Sequence, residues 1–256
     1  MFTAIDLATA VEDFWIARKH GEFFPRAYYD KLTLDDAYRI QLAVIDRRVA
    51  AGERQIGWKV GLTSKAIQSQ FGFHEPVFAC LLEAQTSGHV FASNELINPG
   101  IETELCVRLT HGLEGTVSKA QVREAIDVVQ PSFEIIETRG DPRQMMLALA
   151  DNGQARSVVA GAPVRLTPDL ALDQVSARID INGQEMATGL GSAVLDNPLN
   201  SVLWLARKLG DYGRCLRPKD IIMTGSFVRQ FPLAPGDVAV AEFSGIGRVE
   251  TGISKA

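Results

Sequence analysis

The chain opens with two stretches of helical hydrophobic spacing. Residues 4–21, AIDLATAVEDFWIARKHG, place apolar side chains at helical intervals, stop at Gly21 and are followed by Pro25. Residues 32–52 carry a sharper signature. Thr33 stands as a cap, Asp35 and Asp36 fill the first turn, Tyr38, Leu42, Ile45 and Val49 form one stripe, and Gly52 closes the helix. From Ile56 onward the period shortens. Short β-rich runs alternate with Gly, Pro and Asn at 56–63, 101–109, 131–139, 176–188, 220–228 and 237–253. Within the fourth run, Asn182-Gly183 predicts a two-residue hairpin turn. Two helices interrupt these strands. One starts with a Ser118/Gln121 capping box and is expected to end before Pro131. The other has Asn197 as cap, Pro198 at its first position and Gly210 at its end. Helices early and strands late predict an α+β protein. A helical N-terminal region, residues 1–55, is laid on one β-rich domain, residues 56–256, expected to hold the chemistry.

Composition narrows the field. With 256 residues the chain can bury one sizeable core. It carries a net charge of −5 and no Lys/Arg run, which sets nucleic-acid binding aside. Cys80, Cys106 and Cys215 are far apart and form no CxxC pair. This predicts a reducing, cytoplasmic setting and argues against a disulfide framework or a zinc–thiolate site. The first 15 residues include acids and no basic n-region, unlike a signal peptide. No apolar run approaches the ~18 residues of a membrane span.

One strand departs from ordinary patterning. In GIETELCVRLT, residues 100–110, Glu102 and Glu104 alternate onto one face among Ile, Leu, Cys and Val. At about 6.6 Å apart and an effective dielectric near 20, they repel by about 2.5 kcal/mol before any desolvation cost. That is a large fraction of a domain's net stability, so a proton, a cationic side chain or a metal should compensate. A solvated face shared with Arg108 is the ordinary alternative. Glu134, between Phe133 and Ile135 in a second strand-like run, adds a third buried-looking carboxylate. Three hard oxygen ligands without His or Cys suit Mg²⁺ or Mn²⁺ better than zinc.

Other candidates accompany them. In IGWKVGLTS, Lys59 lies between Gly57 and Gly61, with the hydroxyls of Thr63 and Ser64 following. It reads either as a lysine snorkelling from an edge strand or as a desolvated acid, base or clamp. The GxG stretches at 188–194 and 244–250 do not join a strand to a helix in the dinucleotide-binding manner. His20, His74, His89 and His111 are scattered, and no GxSxG occurs to support a serine hydrolase. Arg139 either binds an anion or pairs with Glu137.

Taken in order, IGWKVGLTS, the Glu75-Pro76 step, IETELCVRL, PSFEIIETR, DNGQARS, GSAVLDNPLNSVLWLARKL and IIMTGSFVRQFPLAPGD resemble one family. It is the fumarylacetoacetate hydrolase superfamily, and within it the branch of 2-oxopent-4-enoate hydratases and 4-oxalocrotonate decarboxylases. The resemblance runs from about residue 33 to the C-terminus. It implies a rolled mixed β-sheet, homo-oligomers, and Mg²⁺ or Mn²⁺ held by three carboxylates, which fall on Glu102, Glu104 and Glu134. The branch's lysine falls on Lys59. Thr224, Gly225, Ser226 and Phe227 fall where such enzymes close over substrate, and Asp151-Asn152 match the start of a DNAS stretch.

The departures bear on the reaction. Hydratases of the branch carry an aspartate two residues after the glutamate of the Glu-Pro step; here Val77 follows Glu75. Valine cannot position or deprotonate water, whereas a drier pocket favours loss of a carboxylate. The expectation is therefore a 4-oxalocrotonate-type decarboxylase of aromatic meta-cleavage. It would take a small anionic 2-oxo acid and associate with a partner enzyme of the same pathway. Hydratase action, with Glu75 or His74 serving water, is the alternative. An acylpyruvate-type C–C hydrolase and a non-enzymatic oligomeric binding protein are further alternatives. The first needs a histidine that cannot be placed, and the second is disfavoured by the presence of all three glutamates. Gly153-Gln154 in place of Ala-Ser, and Asp196-Asn197-Pro198 in place of His-Pro, suggest a pocket unlike that of the best-known members.

Overall fold

The computed structural model describes residues 5–255; the predicted first helix began at Ala4, which lies outside them. Helices α1 (Leu7–Lys19) and α2 (Leu34–Ala50) come first. Asp6 caps α1 by accepting from the Ala8 and Thr9 N–H groups, and Thr33 with Asp36 forms a reciprocal capping box on α2. Of the predicted α2 stripe, Tyr38, Leu42 and Ile45 are buried, but Val49 in the last turn is 41% exposed. Next come β1 (Gly57–Gly61), α3 (Lys65–Phe71), β2 (Val77–Leu81), β3 (Ala84–Thr86), β4 (Val90–Phe91) and β5 (Pro99–Leu109). The middle of the chain holds α4 (Lys119–Ala125), β6 (Ile126–Glu137), α5 (Met145–Ala150), β7 (Ala155–Ala160) and β8 (Val164–Arg165). The last third holds β9 (Ser176–Ile181), β10 (Gln184–Leu190), α6 (Pro198–Gly210), β11 (Ile221–Ser226), β12 (Phe231–Pro232), β13 (Val238–Phe243) and β14 (Gly247–Ile253).

Two sheets result. The larger runs β2-β1-β11-β5-β6-β7-β3, with β12 also on β5 and β8 also on β6. It is mixed, since β1 pairs β11 and β3 pairs β7 in parallel while its other ladders are antiparallel. The smaller runs β10-β9-β13-β14-β4. Asn182 and Gly183, at φ 54° and 77°, make the expected hairpin turn between β9 and β10.

One helix is shorter than the capping signal suggested. Ser118 and Gln121 do cap α4, but it stops at Ala125 and the β-branched run after it enters β6, passing through Pro131. Pro131 falls where β6 changes neighbours, from β8 beside Val128 and Val129 to β7 from Ser132 onward. That is a place where a strand tolerates a missing N–H.

The faces of the larger sheet differ. Trp58, Val60, Phe78, Leu105, Val107, Phe133 and Ile135 face the helices and join α1, α2 and α6 in the main core. The other face carries a separate small cluster of Leu81, Cys106, Val158 and Met223. Strand register places Lys59, Ala79, Glu102, Glu104 and Glu134 on that second face. The sheet curls around it. Lys59 on β1 touches Glu134 on β6, although β11 and β5 stand between. In a flat sheet those strands would lie about 14 Å apart.

Candidate metal centre

The three glutamates meet because two strands pair in one register. Glu102 on β5 stands opposite Glu134 on β6, and Glu104 stands opposite Ser132. Opposite residues of an antiparallel pair share a face with Cβ atoms about 5 Å apart. One carboxylate oxygen from each of Glu102, Glu104 and Glu134 lies within 4.8 Å of the others. Glu104 and Glu134 are each 1% exposed, and Glu102 is the partly open member. Arg108 does not neutralise them; it is taken by Asp127 at 2.8 Å.

Lys59, 7% exposed, comes from the far side of the curl and sets its Nζ 2.9 Å from Glu134 Oε1. The ammonium is the partner of this buried oxygen. A bulge in β11 supplies the other fixed contact. Between Met223 and Ser226 the ladder slips, and the Gly225 N–H donates to Glu104 Oε2 at 2.8 Å. Gly225 has φ 117°, and a Cβ there would lie 2.5 Å from Thr63 Cγ2 and Oγ1, so only glycine fits.

Three carboxylates against one ammonium leave two negative charges over if all ionise. The protein resists that ionisation. Burial raises Glu104 well above the ordinary carboxylate range, reinforced by Glu134 and Glu102. Burial likewise raises Glu102, with Lys59 opposing. Burial lifts Glu134 to about 7, again against the pull of Lys59. For Lys59, burial works downward, but Glu134, Glu102 and Glu104 outweigh it and its pKa ends above the usual lysine value. A hard all-oxygen donor set within 4.8 Å and an excess of two negative charges fit a divalent Mg²⁺ or Mn²⁺ ion.

A test follows from the sign of the Glu134 shift. A carboxyl raised in the folded state favours folding below its unfolded pKa, and that benefit is lost as pH rises through the folded value. Metal-free protein is expected to lose stability relative to Glu134→Gln between pH 4.5 and about 7, read from denaturant midpoints. Parallel pH profiles for the two proteins would contradict the assignment.

The remaining candidates lie on β2, β11 and the segments flanking β1, β2 and β7. Val77 on β2 pairs with Gly61 and is 6% exposed, on the same sheet face as Lys59. Glu75 is held by Lys208 at 2.8 Å. Ser64 caps α3. Thr224 donates its hydroxyl to the Leu105 carbonyl at 2.9 Å, and Ser226 accepts from the Thr103 N–H at 3.2 Å. Asn152 exchanges two 2.9 Å hydrogen bonds with the backbone of Cys80. Arg139 pairs with Glu137 at 2.9 Å, one of its two sequence readings; sequence reasoning missed its second buried partner, Asp151. An open cavity of about 520 Å³ lies on the smaller sheet and shares no residue with the glutamates. Its arginines are paired, Arg178 with Asp180 and Glu242, and Arg248 with Glu250.

This fold and acidic centre agree with a family match. The model for the C-terminal domain of fumarylacetoacetate (FAA) hydrolase matches residues 84–254, and the chain belongs to that family. Its relatives place it within the branch of hydratases and decarboxylases. It is 32% identical over 231 residues to the 2-keto-4-pentenoate hydratase of Paraburkholderia xenovorans LB400, spanning 88% of this chain and 86% of that protein. It is also 32% identical over 223 residues to the 4-oxalocrotonate decarboxylase of Pseudomonas sp. CF600, spanning 85% and 84%. The solved 4-oxalocrotonate decarboxylase of Pseudomonas putida G7, complexed with magnesium and adipate, superimposes with a TM-score of 0.90 at 29% identity, covering 99% of this chain and 100% of that one.

Proposed function

We propose that this protein is a Mg²⁺- or Mn²⁺-dependent lyase that decarboxylates a conjugated 2-oxo-enedioate of the 4-oxalocrotonate kind in aromatic meta-cleavage. The observation that carries the reading is the convergence of Glu102, Glu104, Glu134 and Lys59 beside an apolar wall of Val77 and Ala79. The three glutamates would hold the ion, which when bound supplies a Lewis acid for the 2-oxo acid.

The chain's own groups do the rest. Lys59, with its Nζ 2.9 Å from Glu134 Oε1, acts as an electrostatic clamp and proton donor. As CO₂ leaves, its bonding electrons run along the conjugated chain to the 2-oxygen, and Lys59 protonates the resulting dienolate. The Gly225 N–H keeps Glu104 oriented. Val77, opposite Gly61, and Ala79, opposite Lys59, keep water from the departing carboxylate. Thr63, Ser64, Asn152, Thr224, Gly225 and Ser226 shape the walls of the substrate pocket.

Hydration of a 2-hydroxydienoate is the second reading, favoured by the hydratase relative at the same 32% identity. There Glu75, two residues before Val77, would part from Lys208 to position water. A cytoplasmic homo-oligomer beside a pathway partner completes the proposal. The free cysteines and the exposed Met186 and Leu190 on edge strand β10 support it.

The test is incubation with 2-oxohex-3-enedioate and with 2-hydroxypenta-2,4-dienoate plus Mg²⁺, following CO₂ and dienol together. CO₂ release from the first supports decarboxylation. A hydroxy acid formed from the second without CO₂ supports hydration, and no turnover of either sinks both. Val77→Asp should raise water addition relative to CO₂ release; an unchanged product ratio would count against the role of Val77.

A further inference from the structure

A buried charge cluster stands behind the lysine. Arg139, 2% exposed in its side chain, donates Nε to Asp151 Oδ2 at 2.5 Å, Nη2 to the Asp151 carbonyl at 2.9 Å and Nη1 to Glu137 Oε2 at 2.9 Å. Arg18 crosses from α1 and reaches Asp151 Oδ1 at 3.2 Å. Both guanidinium groups lie over the Phe23 ring, at 5.6 and 5.2 Å. An N-terminal helix thus completes a clamp on one aspartate.

The residues following that aspartate take a rare conformation. Asn152, Gly153 and Gln154 lie in the left-handed region, at φ 56°, 55° and 60°. Non-glycine residues avoid it singly, and a run of three must be held from outside. It is held at two points. Asp151 is gripped by the arginines, and the Asn152 carboxamide bonds both the N–H and the carbonyl of Cys80 on β2. Directly after them Gly153 lies against the lysine: a Cβ there would stand 3.2 Å from Lys59 Cε, 3.7 Å from Nζ and 3.0 Å from Ala79 Cβ.

We propose that Arg18, Arg139 and Asp151 are positioning residues that press the 152–154 turn against the Lys59 stem and so hold its ammonium at Glu134. This rests on the reading of Lys59 as the proton donor. A lysine stem has four rotatable bonds, and the turn removes part of that freedom. Displacing a reacting group by about 1 Å can cost about 100-fold in rate.

Arg18→Gln is the mild test, because this side chain is 27% exposed and Arg139 stays to balance Asp151. With Mg²⁺-loaded protein and 2-oxohex-3-enedioate or 2-hydroxypenta-2,4-dienoate, kcat should fall about tenfold. KM and the Mg²⁺ dissociation constant, from calorimetry, should hold, and Arg18→Lys should recover most of kcat. Asp151→Asn should lose more. In a crystal structure of that variant, Lys59 Nζ and the 152–154 turn should no longer hold single positions. A lowered thermal midpoint with wild-type kcat per folded molecule would overturn the proposal, as would an unmoved Lys59 in that crystal. Lys59→Met separates the two ideas. Wild-type kcat in Lys59→Met removes the lysine reading and the proposal with it. An inactive Lys59→Met beside fully active Arg18→Gln and Asp151→Asn removes the positioning proposal alone.

Discussion

Glu104→Gln is expected to abolish Mg²⁺ binding and activity while leaving the fold in place. The side chain is 1% exposed and accepts from the Gly225 N–H, a bond the glutamine carbonyl can keep. What is lost is a charge and a ligand oxygen. Groups that merely support a ligand are worth ~10–100-fold in metal affinity, so loss of a ligand should exceed ~100-fold. The metal-free variant should be no less stable than wild type, because burial already opposes ionisation of this carboxyl and its two neighbours repel it. At 100 times its dissociation constant, an ion stabilises the wild type by about 2.7 kcal/mol. For a domain of this size that is a rise of about 5–10 °C in Tm, which the variant should lack. Calorimetric titration and thermal melts with and without Mg²⁺ read both effects. Full activity in the variant after treatment with a chelator would end the metal assignment.

Lys59→Met should separate binding from turnover in the opposite sense. The ammonium is the cation the structure sets against the three carboxylates, two buried and one partly open. Without it, Mg²⁺ meets less competition for Glu134 and binds at least as tightly. The reaction loses its proton donor, a loss of about 10²–10⁴ in kcat. Lys59→Arg should not rescue it, since a guanidinium holds its proton too firmly to give it up. The metal-free Lys59→Met protein should also be less stable near neutrality, where the carboxylates repel unopposed, and should recover as the pH falls. A variant retaining more than a tenth of wild-type kcat with ordinary pH dependence would remove Lys59 from the reaction.

What could be read from the chain beforehand divides along physical lines. The α2 cap, the Asn182-Gly183 turn and the one-sided spacing of Glu102 and Glu104 depend on contacts a few residues apart, and local sequence carries them. The convergence of Glu134 and Lys59 depends on β5–β6 register and on how strongly the sheet bends, which no single segment encodes. Resemblance to a family stood in for that information. The over-long helix after Ser118 shows the same limit: its cap was legible, but its end was decided by the neighbours of β6. Arg108 beside the pair in sequence proved to serve Asp127, while the arginines that matter for Asp151 come from α1 and from the end of β6.

The bend of the larger sheet also divides labour between its two surfaces. The outer surface packs on helices within the main apolar core, whereas the inner one carries a separate cluster of four buried residues on the face of the acids. On that inner wall Ala79 belongs to neither apolar cluster, whereas Val77 also joins the main core. A lineage with this architecture can exchange one reaction for another by drifting along its hollow side while the scaffold beneath is left alone.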